Sequence, residues 1–229
     1  MYEGFYGLQE RPFALLPDPS FLFLSKGHST ALTLLRYSIL NRQGFTVVSG
    51  EVGSGKTTLI NRLLDEMKSG MTVGLINFTT RSFGEMAEWI MMAYGLPYKN
   101  KSKVELYDDF VQFMIREYAA GRPVVLIVDE AQNLGIRGLE EIRMLSNVNA
   151  QKDHLLHVIL VGQPELRSLL QAPQLRQLTQ RVSVAFHLRP LTDEEVEQYI
   201  VHRVTHAGGS PDLFEPEAIR LVAAASTGI

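Results

Sequence analysis

Cysteine is absent from all 229 residues. Its absence excludes disulfides, thiolate-held zinc and a cysteine nucleophile, and it agrees with a reducing, cytoplasmic setting. No run of eighteen apolar residues occurs, and no basic-then-apolar leader opens the chain. Neither a membrane span nor a secretory signal is therefore expected within it. Positive charge is not in excess: 22 Lys and Arg stand against 25 Asp and Glu, for a net charge of −3. That balance argues against a broad nucleic-acid footprint and leaves room only for a local patch. There is a single tryptophan, and no internal repeat or low-complexity tract. What remains is ordinary globular composition, 45% hydrophobic and 21% charged, at a length that suits one large domain or one and a half smaller ones.

The chain is organised around residues 45–64, FTVVSGEVGSGKTTLINRLL. Phe45–Val48 is a short apolar run that reads as a buried strand. Leu59, Ile60, Leu63 and Leu64 then recur at helical spacing. Between them lies the G-x-x-x-x-G-K-[ST] phosphate loop in the context it requires, strand before and helix after. Glycines at 50, 53 and 55 let the backbone curve around a polyphosphate. The N–H groups of Glu51, Val52, Ser54 and Thr58 and the start of the helix then face its oxygens. Lys56 supplies a full charge at the β/γ-phosphates, and the Thr57 hydroxyl is a ligand for Mg²⁺. ATP and Mg²⁺ are the expected ligands.

A second element follows about seventy residues on. Pro123 introduces VVLIV, five apolar residues that suit a strand buried on both faces, and then Asp129 and Glu130. Acids at the carboxyl end of such a strand fall where open α/β sheets bind ligands. Asp129 is expected to hold the metal's shell and Glu130 to polarise the attacking water. The plainer account is an acid cluster at a helix start.

The remaining segments are read around these two. Residues 1–25 are rich in Phe and Tyr, and Pro12, Pro17 and Pro19 forbid a long helix. They are expected to form an arm packed on the core, with Phe13 to Leu15 walling the base. A helix over 26–41 begins near His28, which reads as a cap or surface residue. A strand over 71–78 ends at Thr79 and Thr80. Ser82 with Glu85 forms an expected capping box, and Trp89, Met91 and Met92 read as packing. Lys99, Lys101 and Lys103 suit a solvated basic loop, and a helix over 104–120 follows. Strand four, 157–161, ends at Gln163, which is placed either to meet the γ-phosphate or to serve as a turn residue before Pro164. Arg176 and Arg181 precede the last strand, 183–188. Arg181 is the candidate for a finger reaching a neighbouring subunit's phosphate, with a salt bridge or solvated Arg as the plainer account. Thr192 and Glu195 cap a helix to His206, and Pro216 opens another. His202 and His206 stand at i, i+4 without a third ligand nearby, which leaves a metal site unsupported. The organisation expected is an arm over 1–25, an ATPase core over 26–190 and the start of a helical lid over 191–229.

FYGLQERPFALLPDPSFLFLS with His28 after it, GEVGSGKTT, VVLIVDEAQNL, LLHVILVGQPEL, LRQLTQRV and FHLRPLT together resemble the AAA+ ATPases of the ExeA (general secretion pathway protein A) type. The resemblance runs from residue 2 to residue 229. It implies an α/β fold, an αβα sandwich around a five-stranded parallel sheet of order 5-1-4-3-2. It implies nucleotide at the interface of a homo-oligomer, Gln163 as the first sensor and Arg181 as the finger. It also implies partners among secretion, pilus or exopolysaccharide assembly proteins, with any membrane attachment lying beyond residue 229. A DNA-dependent transposition helper and a slowly hydrolysing assembly scaffold share this core and stay open on sequence grounds.

Overall fold

The computed structural model describes residues 2–14, 19–67, 70–77, 85–150 and 153–229. The three unbroken apolar runs become the inner strands. β1 (Phe45–Gly50), β3 (Val124–Asp129) and β4 (Leu156–Gly162) are buried at every residue. β2 (Thr72–Asn77) and β5 (Val182–Leu188) are partly exposed, as edge strands are. All five run parallel in the order β2-β3-β4-β1-β5, which is the expected 5-1-4-3-2. A small antiparallel ribbon pairs Asn149–Ala150 with Asp153–His154.

Side chains alternate across a strand, so neighbouring residues enter opposite layers. Val48, Val125, Ile127, Ile159 and Val161 face α1 (Lys26–Leu40) and α2 (Lys56–Glu66). Val47, Leu126, Val128 and Leu160 face the other way, toward α3 (Met86–Ala93), α4 (Lys103–Ala119), α5 (Gly135–Leu145) and α6 (Pro164–Leu170). Met91 is buried and Trp89 packs at the margin of that second layer. The parallel register sets Asn77 beside Asp129 and Ser49 beside Gly162. The carboxyl ends of the strands therefore converge on one edge, the place where ligands bind in such sheets.

Local signals explain most helix starts. Ser25 caps α1, and capping boxes open α4 (Ser102, Glu105) and α7 (Asp193–His206, from Thr192 and Glu195). The box expected at Ser82 is not of that kind: Ser82 lies outside the described residues, and Glu85 occupies the N-cap position itself. Lys103 of the basic loop pairs with Glu85 at 2.9 Å, and Lys101 pairs with Asp109, so these lysines serve local structure.

The arm and the lid share one small core. Leu8 and Phe21 from the arm are buried with Val196, Ile200, Val204 and Ala207 of α7 and with Ile219 and Ala223 of α8 (Pro216–Ser226). Leu8 and Phe21 are the arm's side chains in this cluster, and the turn Pro19–Phe21 also meets α2 of the sandwich. Arg203 ties the two together: its guanidinium donates to the Pro12 carbonyl and lies over the Phe21 ring, 4.5 Å from its centre. His206 meets Phe21 edge-on at 4.4 Å and His202 lies 5.8 Å from Phe23, so this histidine pair packs on the arm.

His157 of β4 is buried, and its Nδ1 donates to the Gln43 carbonyl. Burial is the main cause that pushes its pKa from 6.5 to about 4. Below pH 6.5 the unfolded chain takes up a proton that the folded chain refuses until about pH 4, so stability falls as pH drops through that window. The shift corresponds to roughly 3 kcal/mol. Urea melts at pH 7 and pH 4.5 check this: His157→Gln should lose markedly less stability between the two than the native chain.

Candidate nucleotide-binding site

The phosphate loop closes over the end of β1. Gly55 is left-handed (φ 83°) and immediately precedes α2. A Cβ there would also stand 2.7 Å from His28 Nε2, so glycine is required both by conformation and by space. A Cβ at Gly50 would meet Ser54 Oγ at 2.7 Å and the Leu188 carbonyl at 2.8 Å. Glu51 and Val52 are exposed on the crest of the loop and Ser54 is buried beneath it.

Lys56 is buried at the base. Its ammonium donates to the carbonyls of Gly50 (2.8 Å) and Glu51 (2.7 Å), which leaves one of its three protons for a phosphate. Burial lowers its pKa, opposed in order by the charges of Glu130, Asp129 and Glu51. Thr57 Oγ1 donates to Asp129 Oδ2 at 3.0 Å, across 72 residues of sequence. Asp129 is itself buried, and its other oxygen accepts from the Glu130 N–H at 2.9 Å. A hydroxyl and a carboxylate held together at the loop are the hard oxygen donors that suit Mg²⁺, which takes the rest of its shell from water and phosphate.

Glu130 adopts φ 53°, ψ 39°, a left-handed conformation that costs a non-glycine residue on the order of 1–2 kcal/mol and persists only where neighbours impose it. Its Oε2 accepts from Gln163 Nε2 at 3.0 Å and from Gln132 Nε2. Gln163 stands at the N-cap position of α6, with Pro164 following, but makes no side-chain cap. Its backbone thus begins the helix, as the turn reading has it, while its side-chain amide reaches the Glu130 carboxylate.

His28, expected at a surface or cap, is buried against the loop. Its Nε2 donates to the Ser54 carbonyl (3.1 Å), and its Nδ1 lies 2.8 Å from Ser25 Oγ, which also accepts the His28 N–H. A carbonyl only accepts, so the Nε2–H tautomer is fixed. Burial lowers its pKa, opposed by the bond to the Ser54 carbonyl and the charge of Glu195. The local sign of this was the spacing S-x-x-H, which sets the ring at the third helical position, where a capping-box Glu would turn back on the serine.

A cavity of about 480 Å³ opens beside the loop, between arm, lid and loop. Phe13, Phe21 and Phe23 of the arm and Tyr199, Ile200 and Phe214 of the lid line it, with Gly53 and Thr58 at its phosphate end. Phe13, expected with Leu15 to wall the base, lines this cavity, while Leu15 lies outside the described residues, as do Thr79 and Thr80. The volume and apolar lining suit a nucleoside.

Arg181 is nowhere near its own loop. Val182 pairs with Phe45 and Leu188 with Gly50, so Arg181, one residue before this strand, is a full strand length, roughly 20 Å or more, from the loop's end of the sheet. Arg176 is exposed on the turn before it.

A parallel sheet carrying a phosphate loop on β1 and an acid pair on β3 defines a P-loop ATPase of the AAA class. A family profile described as AAA domain matches residues 39–170. The chain belongs to that family. It is 36% identical over 230 residues to General secretion pathway protein A of Aeromonas hydrophila, which matches the whole chain. The chain spans 42% of that relative's length. Its fold is that of the Aeropyrum pernix ORC2 protein solved as ADPNP–ADP complexes: TM-score 0.66 and 18% identity, covering 94% of this chain and 60% of the other. Drosophila ORC bound to DNA superposes with a TM-score of 0.63 at 16% identity, over 93% of this chain and 53% of that one. Among the described residues no helix is long and apolar enough to cross a membrane.

Proposed function

We propose that this chain hydrolyses ATP with Mg²⁺ in sites completed between subunits of a homo-oligomer, and that it serves the assembly of a secretion or related cell-envelope machine. The observation that supports the chemistry best is the convergence on one point of Lys56, the Thr57–Asp129 pair and Glu130, whose charge is the largest Coulombic influence on Lys56. Glu130 polarises the water that attacks the γ-phosphorus in line, and Lys56 spreads the charge that builds on the phosphoryl oxygens. Gln163 meets the γ-phosphate or the water. Thr57 and Asp129 would hold Mg²⁺, which would supply charge neutralisation for the phosphoryl group. The secretion role rests on similarity along the full length of this chain to a relative bearing that name.

Distance gives the oligomer its reason. Arg181 lies roughly 20 Å or more from its own loop, so any part it plays in hydrolysis is played on a neighbour. Two outcomes are expected. Turnover per subunit rises with protein concentration. Arg181→Ala and Glu130→Gln, each inactive alone, recover turnover when mixed, because some interfaces then join an intact Arg181 to an intact Glu130. No recovery on mixing, with oligomers formed, sinks the trans assignment. A role as a platform on duplex DNA predicts instead an association that weakens steeply with salt.

A further inference from the structure

We infer that Gln132 is a positioning residue for hydrolysis: its side-chain amide clamps the Glu130 carboxylate to the tip of β4 and holds it there when Gln163 turns to the nucleotide. This rests on the reading of Glu130 just given and goes one residue further than the sequence motifs do.

Gln132 lies in the short turn Ala131–Leu134, two residues after Glu130. Both ends of its amide are used. Oε1 accepts from the backbone N–H of Gln163 at 3.1 Å, and Nε2 donates to Glu130 Oε2. The orientation of the amide follows from chemistry: a backbone N–H needs an acceptor, so the oxygen faces β4 and the nitrogen must face the carboxylate. One side chain thereby joins the tips of two strands and spans 31 residues of sequence.

Glu130 needs such a partner. Its backbone is in the left-handed region, fixed from one side by the bond to Asp129 Oδ1. Its carboxylate receives two amides on the same oxygen, from Gln132 and from Gln163. The two differ in what nucleotide does to them. Gln163 stands at the strand tip, and turning its amide to a γ-phosphate or a lytic water surrenders its bond to Glu130. The Gln132 bond needs no such change, because its far end is anchored on main chain. Gln132 therefore keeps the carboxylate aimed during the step in which Gln163 is busy elsewhere.

Gly162 protects this arrangement. A Cβ at Gly162 would stand 2.5 Å from Gln132 Oε1, its nearest neighbour, and 3.0 and 3.2 Å from Leu166 Cδ2 and Cβ. That oxygen is the end of a flexible side chain, so an added methyl displaces the amide before it displaces the strand. Gly162→Ala is thus a second way to release Glu130, with Gln132 itself untouched.

The test compares ATP turnover and nucleotide affinity for the full chain and for Gln132→Ala, Gln132→Glu and Gly162→Ala, with Glu130→Gln as reference. Gln132→Ala is expected to lower kcat about tenfold or more, the loss of one hydrogen bond to a charged group, with KM and the Kd for a non-hydrolysable ATP analogue unchanged. Gln132→Glu keeps the acceptor for the Gln163 N–H and so preserves the purely structural half. It sets a second carboxylate on Glu130, however, so kcat should fall further and the acid limb of the kcat–pH profile should move to higher pH. Gly162→Ala should reproduce the Gln132→Ala loss. In a Glu130→Gln background, Gln132→Ala should add nothing. The inference is overturned if the Gln132 variants keep native kcat and pH profile while Glu130→Gln is inactive, or if they lose nucleotide affinity along with turnover. Native turnover by Glu130→Gln is a different result, which removes the reading of Glu130 itself.

Discussion

Glu130→Gln is expected to bind ATP as tightly as the native chain and to hydrolyse it on the order of 10²–10⁴-fold more slowly, the usual span for loss of a general base. The substitution keeps shape and hydrogen-bonding reach and removes only the negative charge. The Thr57–Asp129 pair and the Lys56 bonds to the loop do not involve that side chain, so the binding half of the site is left standing. What is lost is the group that draws a proton from water. One feature of the geometry sharpens the expectation. The same oxygen of Glu130 accepts from two amides, so an amide in its place meets two N–H donors with a carbonyl at best. Single-turnover hydrolysis measured beside analogue binding checks this. Equal losses in both would mean that the substitution collapses the site, and would count against a purely chemical role.

Lys56→Ala is expected to weaken ATP binding by about 10³-fold. A unit charge about 4 Å from a phosphate charge contributes roughly 4 kcal/mol at an effective dielectric near 20, which converts to that factor in Kd. A second effect acts in the same direction. The ammonium holds the carbonyls of Gly50 and Glu51 toward itself, and without it the loop loses the internal tie that keeps its shape before nucleotide arrives. Lys56→Arg should not rescue, because the burial that lowers the lysine's pKa leaves little room for a planar guanidinium. Titration with a fluorescent ATP analogue reads the difference, and near-native affinity in Lys56→Ala would remove this site as the place of binding.

The shared core of arm and lid bears on how binding is felt elsewhere. The nucleoside-sized cavity has the arm on one wall and the lid on another, and Arg203 fastens the two. Ile229 touches the loop as well: a Cβ at Gly53 would stand 2.7 Å from Ile229 Cγ2.

Much of this was legible in residues taken in order. The inner strands declare themselves because parallel strands covered on both faces must be apolar throughout. The phosphate loop and the Asp129–Glu130 pair declare themselves because glycine, lysine, hydroxyl and acid at those spacings answer one chemical need. Thr192 with Glu195 marks a helix start because the reciprocal bonds are local. What escaped was bonding between distant positions. Nothing near His28 says that Ser54, 26 residues on, will offer it a carbonyl. Nothing near Gln132 says that β4 will end beside it, and nothing near Pro12 says that Arg203, 191 residues later, will hold it.

The sequence by itself therefore determined the class of fold, the nucleotide loop and the acids that face it, since periodicity and local chemistry are properties of neighbouring residues. The tertiary structure alone decided that His28 pins the loop, that Glu130 hangs from two glutamine amides, that Leu8 and Phe21 are buried against the last two helices, and that Arg181 lies a strand length from its own loop. These depend on which strand lies beside which and on how far each one runs, and in a parallel sheet that is settled only when the crossovers have brought distant segments into register.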